Sequence, residues 1–189
     1  MKKTITFAII SSLFLACNLN QSNTNNADST QHKERVNMSA TDSTHFTHST
    51  TNSSFDDIIS GYLDLKNALV NDNSKAASDA SKKILASLEK KTNNQTKEVL
   101  EILESIKENG EHIRDNADKI DHQREHFALI SKDAIDLVAQ SVTSKKLYQD
   151  FCPMFNDNKG ASWLSETKGI KNPYYGAEML TCGSVKKEY

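Results

Sequence analysis

The chain has 189 residues, 37% hydrophobic and 25% charged, with a formal net charge of -2. That length holds one domain with appendages, and two prolines, six glycines and 7% aromatics exclude collagen-like, propeller-like and multi-span membrane architectures. The near-neutral balance lacks the basic footprint of a nucleic-acid binder.

Lys2 and Lys3 precede the apolar run from Thr4 to Ala16. This is the layout of a signal peptide over residues 1–16, too short to span a bilayer. The run ends in Leu13-Phe14-Leu15-Ala16-Cys17, which resembles a bacterial lipobox, with Phe14 where an aliphatic residue is commoner. The resemblance implies diacylation of Cys17 and attachment to a membrane by acyl chains, each buried methylene contributing about 0.8 kcal/mol. Asn18 after the cysteine fits sorting to the outer membrane of a Gram-negative bacterium, with the protein facing the periplasm. An ordinary cleavable signal with an incidental cysteine is the alternative.

Residues 17–53 comprise that cysteine and a stretch rich in Asn, Ser, Thr, Gln, Asp and His in which Phe46 is the only aromatic residue and Leu19, Val36 and Met38 the only large aliphatics. Such a composition cannot bury enough apolar surface to offset the entropy of ordering, so it predicts a disordered tether. As a flexible coil it reaches roughly 30–40 Å end to end. His32, His45 and His48 are sparse enough to read as part of the spacer rather than as a metal tract.

Residues 54–189 read as the folded domain. Phe55, Ile58, Ile59, Tyr62, Leu65 and Leu69 have helical spacing, with Ser53 or Ser54 as N-cap and Asp56 and Asp57 in the first turn. This predicts a first helix to about Val70. After the turn Asn71-Asp72-Asn73-Ser74, a second helix carries Ala77, Ala80, Ile84, Leu85 and Leu88 and ends near Lys90-Lys91. A third, with Val99, Ile102, Leu103, Ile106 and Ile113, runs to about Asn116 with a weak point at Gly110. Asp118 or Asp121 caps a fourth, with Phe127, Ile130, Ala134, Leu137, Val138 and Ser141 inward. Short connections favour an antiparallel four-helix up-down bundle in a mainly α fold. The bundle lacks the Glu-x-x-His pairs of di-iron carboxylate proteins. His122 and His126 stand one turn apart, a spacing that can chelate a metal; on its own the pair is weak, and His126 beside Phe127 reads as a core or boundary histidine.

The pattern changes over residues 143–189. Leu147 to Phe155 and Ala161 to Leu164 read as strand and loop, with turns at Asn156-Asp157-Asn158-Lys159-Gly160 and Asn172-Pro173-Tyr174-Tyr175-Gly176. The soft ligands cluster here as Cys152-x-Met154 and Met179-x-x-Cys182. Thiolates and thioethers select Cu(I). Three readings of the cysteine pair stand open. A disulfide is the usual use of two cysteines 30 residues apart in a secreted domain and contributes about 3–4 kcal/mol. A metal site accounts for the methionine beside each cysteine, although methionine is also common core filler. A redox-active pair lacks the Cys-x-x-Cys spacing that lowers a thiol pKa.

Phe151-Cys152-Pro153-Met154, Asn158 to Ser165, Ile170 to Gly176 and Met179-Leu180-Thr181-Cys182-Gly183, with Tyr62 to Val70 and Gln123 to Phe127 upstream, resemble a periplasmic family of unknown function. That family occurs as lipoproteins and as an appendage of the adaptor subunits of copper and silver efflux pumps. The resemblance spans about Phe55 to Val185 and implies heavy-metal handling. Carried over by position, it makes Cys152, Met154, Met179 and Cys182 candidate Cu(I) ligands (Ag(I) being the chemical alternative) and His126 a candidate further ligand or supporting group. Phe155 departs from the small residue usual after the methionine. Trp163, Tyr174 and Tyr175 then shield the site or pack the segment on the bundle.

The expectation is a monomeric, lipid-anchored protein that captures Cu(I) for sequestration or for hand-over to an efflux adaptor. The alternative is a disulfide-stabilised interaction module without metal. No Gly-x-Ser-x-Gly elbow, P-loop, His-Glu-x-x-His or dinucleotide fingerprint occurs, so catalysis is not expected.

Overall fold

The computed structural model describes residues 55–91, 94–140 and 143–189. The signal sequence, Cys17, the tether, the Ser53 and Ser54 caps and Ser141 lie outside the described residues.

Four helices come first. Helix α1, Asp56–Val70, buries Ile58, Ile59, Tyr62, Leu65 and Leu69 and has Asp56 and Asp57 in its first turn. Phe55 occupies its N-cap position without a side-chain cap. Helix α2, Ser74–Leu88, is capped by Asn73, whose Oδ1 accepts from the Ala76 N–H at 2.9 Å. Helix α3, Lys97–Asp115, starts where Thr96 Oγ1 accepts from the Val99 N–H at 3.3 Å. Helix α4, Ile120–Gln140, turns Phe127, Ile130, Ala134, Leu137 and Val138 inward. Each cap satisfies a donor that the first turn leaves free.

Helix α1 packs chiefly on α2, α2 on α3, and α3 on α4. Gly110 does not interrupt α3. It is a point of close approach, where Ser81 Oγ of α2 donates to the Gly110 carbonyl at 2.6 Å and a Cβ would lie 3.3 Å from both Ser81 Oγ and Leu85 Cδ2.

A three-stranded antiparallel sheet of order β2-β1-β3 follows, formed by β1 (Tyr148–Cys152), β2 (Ala161–Ser165) and β3 (Ser184–Glu188). The β1–β2 connection reverses through Asn156, Asp157 and Asn158, all at positive φ. Asn and Asp tolerate that conformation best among residues with a side chain. Strand β2 lies against α4, and Leu147, Trp163, Leu164 and Tyr174 join the helical core. Strand β3 was not expected from the sequence, because Val185 is its only apolar residue and Lys186 and Lys187 mark it as a solvent edge. Among the described residues no helix is long and apolar enough to cross a membrane.

Candidate metal centre

Two clasps fix the C-terminal segment on the helices. Arg124 of α4 is nearly buried; its Nε donates to the Pro173 carbonyl at 3.0 Å and its Nη2 to the Leu69 carbonyl at 3.3 Å and to Asp72. Asp72 Oδ2 in turn accepts the Ala177 N–H at 3.0 Å. That backbone bond and the Arg124 guanidinium hold the Asp72 carboxyl below the usual range. Gly176 fits against this pair because it sits at φ +52° and a Cβ there would lie 2.0 Å from Asp72 Oδ1. The second clasp is Tyr62, whose buried hydroxyl accepts the Leu164 N–H at 3.0 Å and pairs with Ser131 Oγ at 2.8 Å. Burial pushes its phenol up.

Within this frame the two cysteines meet. Register Phe151↔Ser184 sets the end of β1 beside the residues entering β3, and Cys152 Sγ lies 3.4 Å from Cys182 Sγ. Both are free thiols, Cys152 buried and Cys182 half-buried. Gly183 permits the approach, with φ at +146° and a Cβ position only 2.9 Å from Trp163 Cη2. Asn172 holds the loop from inside. It donates Nδ2–H to the Cys182 carbonyl at 3.0 Å and its own N–H to the Leu180 carbonyl at 2.8 Å, and its Oδ1 accepts from the Tyr174 N–H at 2.8 Å. Contact with Cys152, followed by burial, raises the Cys182 thiol above its ordinary pKa.

The aromatic residues divide their roles. Trp163 and Tyr174 are core residues, edge to face with ring centroids 5.8 Å apart, and Tyr174 Oη donates to the Ser162 carbonyl at 2.6 Å. Tyr175 is half-buried and its Oη donates to the Met154 carbonyl at 3.0 Å, tying the Cys152 turn to the Asn172 loop. Burial, then the nearby cysteine sulfurs, raise its phenol pKa. Met154 is 44% exposed. Met179 is half-buried, with its carbonyl accepting the Cys182 N–H at 3.0 Å.

Of the residues singled out in the sequence, the structure thus brings Cys152 and Cys182 into contact and sets Met154 and Met179 in the two turns that carry them. His126 stands elsewhere. Its ring groups with His112 and His122, and its Nδ1 pairs with Asn109 Oδ1 at 2.9 Å. It faces α3 because the 116–119 turn folds the end of α3 back on the start of α4. Sequence reasoning missed His112, Arg124 as a clasp, Asp72 and Asn172. The short α3–α4 connection was the available signal for His112, since antiparallel neighbours joined by four residues set positions 112 and 126 opposite each other.

The fold and site define a helical domain that carries a cysteine pair on a small C-terminal sheet. Residues 58–146 match the family model described as a protein of unknown function (DUF3347). The helical stretch is a domain of unknown function, and the match ends before β1, so all four sulfur residues lie beyond it. No curated protein and no solved structure matches the chain.

Proposed function

We propose that the chain is a periplasm-facing lipoprotein, anchored to the outer membrane through Cys17, that captures Cu(I) as cargo for sequestration or hand-over to a heavy-metal efflux system. The observation that carries this is the 3.4 Å contact between Cys152 Sγ and Cys182 Sγ. In a tetrahedral site two metal–sulfur bonds of about 2.3 Å set their sulfurs about 3.8 Å apart, so the pair needs only a few tenths of an ångström of opening. Two thiolates supply charge and softness, and the thioethers of Met154 and Met179 are the nearest sulfur ligands in sequence to complete a site. Ag(I) suits the same donors. The four helices, read as an up-down bundle, serve as scaffold, and the tether lets one anchored copy sweep for ions and partners. Capture and transfer by ligand exchange need no catalytic group.

The same sulfur contact supports a second reading, a disulfide-stabilised interaction module. An anaerobic Cu(I) titration against a competing chelator, on the reduced protein and its Cys152→Ser/Cys182→Ser variant, separates the two. Metal capture predicts one tight equivalent that the variant loses. Equal competition by both proteins, or by neither, leaves the module.

A further inference from the structure

Apart from the sulfur pair, the described residues contain one cluster of three potential metal ligands. His112 lies in the last turn of α3, and His122 and His126 in the first two turns of α4. One ring nitrogen from each lies within 4.8 Å of the others. The His112 and His126 rings stack with centroids 4.3 Å apart, and His122 meets His126 edge-on at 4.5 Å. Three imidazoles gathered at a helix hairpin repel one another when protonated. Burial, then the neighbouring His112 and His122, lower the His126 pKa.

The surroundings orient these rings. Asn109 Nδ2 donates to the Ser105 carbonyl at 2.9 Å, which turns Asn109 Oδ1 toward His126 Nδ1, 2.9 Å away. An amide oxygen only accepts, so His126 carries its hydrogen on Nδ1 and presents a free lone pair on Nε2. A carbonyl oxygen on the far nitrogen of a ligating histidine is the usual support of a metal site. Glu125 Oε2, 3.7 Å from His122 Nδ1, stands in the same relation at longer range. Glu108, Glu111 and Asp115 line a cleft with His112 and bias the field there toward cations.

We propose that His112, His122 and His126 form a second metal site, separate from the cysteines, for a borderline divalent ion of the Zn(II) type. Zn–N bonds of about 2.0–2.1 Å set tetrahedral nitrogens about 3.4 Å apart, so the rings close by somewhat more than an ångström. The exposed His112 makes that motion by swinging out of its stack on His126. Three imidazoles leave the fourth position to water, and the ion pins the end of α3 to the start of α4. Imidazole with water is a harder donor set than paired thiolates, so the two sites sort metals by class.

The test is a Zn(II) titration of the full chain carrying Cys152→Ser/Cys182→Ser, followed by imidazole 15N NMR. One equivalent should shift the signals of His112, His122 and His126 while the His126 Nδ1–H persists. Adding His112→Ala, a change at an exposed position, should weaken that equivalent at least tenfold with unchanged helix content. Zinc that perturbs only His32, His45 and His48, or an affinity indifferent to His112→Ala, overturns the site. Because Cys152 and Cys182 are replaced, neither outcome depends on the Cu(I) proposal.

Discussion

Cys182 holds its proton more tightly than an ordinary thiol because Cys152 Sγ sits beside it and the pair is partly removed from water. A metal that takes thiolates must displace such protons. Apparent Cu(I) affinity should therefore rise with pH across the neutral range, measured by chelator competition at fixed ionic strength; a flat profile would mean that the thiols are not the ligands. A second residue carries an unusual charge state. Asp150, on the central strand, is fully buried with neither carboxylate oxygen hydrogen-bonded, while the neighbouring Lys66 pairs with Glu166 at 2.8 Å. Burial pushes the Asp150 carboxyl up to about 6, against the opposing pull of Lys66. The folded state thus binds this proton better than the unfolded state, whose carboxyl titrates near about 3.9. Stability from this group is complete below about pH 4 and is lost as pH rises through about 6. Asp150→Asn should remove that fall and raise stability at pH 7 by roughly 1–3 kcal/mol, read from urea unfolding at pH 4 and pH 7. Equal stability of the two proteins at pH 7 would show that the carboxylate is solvated or paired.

At the scale of elements, the helices were legible because each repeats its apolar residues with the period of a helix, and the Asn71–Ser74 turn carries the cap of α2 in Asn73. The Thr96 cap of α3, by contrast, was not read, and Asp121 lies inside the first turn of α4 rather than capping it. Strands β1 and β2 were visible as aromatic-rich runs around an Asn/Gly turn. Strand β3 was not, since an edge strand with one apolar residue has no alternation to read. The cysteine contact was only partly legible. Residues 152 and 182 invite pairing by type, but their approach is decided by strand register, Gly183 and the Asn172 bonds, none of which has a local pattern. The grouping of His126 with His112 has the same origin: it depends on how α3 packs on α4. The clasp between the turn after α1 and the C-terminal loop makes the sharpest test at this scale. Gly176→Ala forces a side chain onto Asp72 at a positive φ and should cost roughly 2–4 kcal/mol in urea unfolding. A loss below a few tenths of a kcal/mol would mean that the loop rests elsewhere in solution.

For the whole molecule, α4 is the hub. It packs on α3, touches α1 and supports β2, and its Arg124 reaches both the α1 carbonyl of Leu69 and the Pro173 loop. The sulfur pair is therefore carried by the whole domain, although the family match covers only the helical stretch. The lipid anchor proposed at Cys17 is separable from the folded domain. Cys17→Ser should release the protein from the membrane fraction and abolish labelling by a fatty-acid probe, without changing metal affinity of the folded domain; continued labelling would remove Cys17 as the anchor. The central claim concerns the metal itself, and copper-edge X-ray absorption of the reduced protein loaded with one equivalent of Cu(I) addresses it most directly. The account predicts a first shell of sulfur alone, unchanged by His112→Ala and absent in Cys152→Ser/Cys182→Ser. Nitrogen or oxygen in that shell, or copper that washes off the native protein, would contradict it.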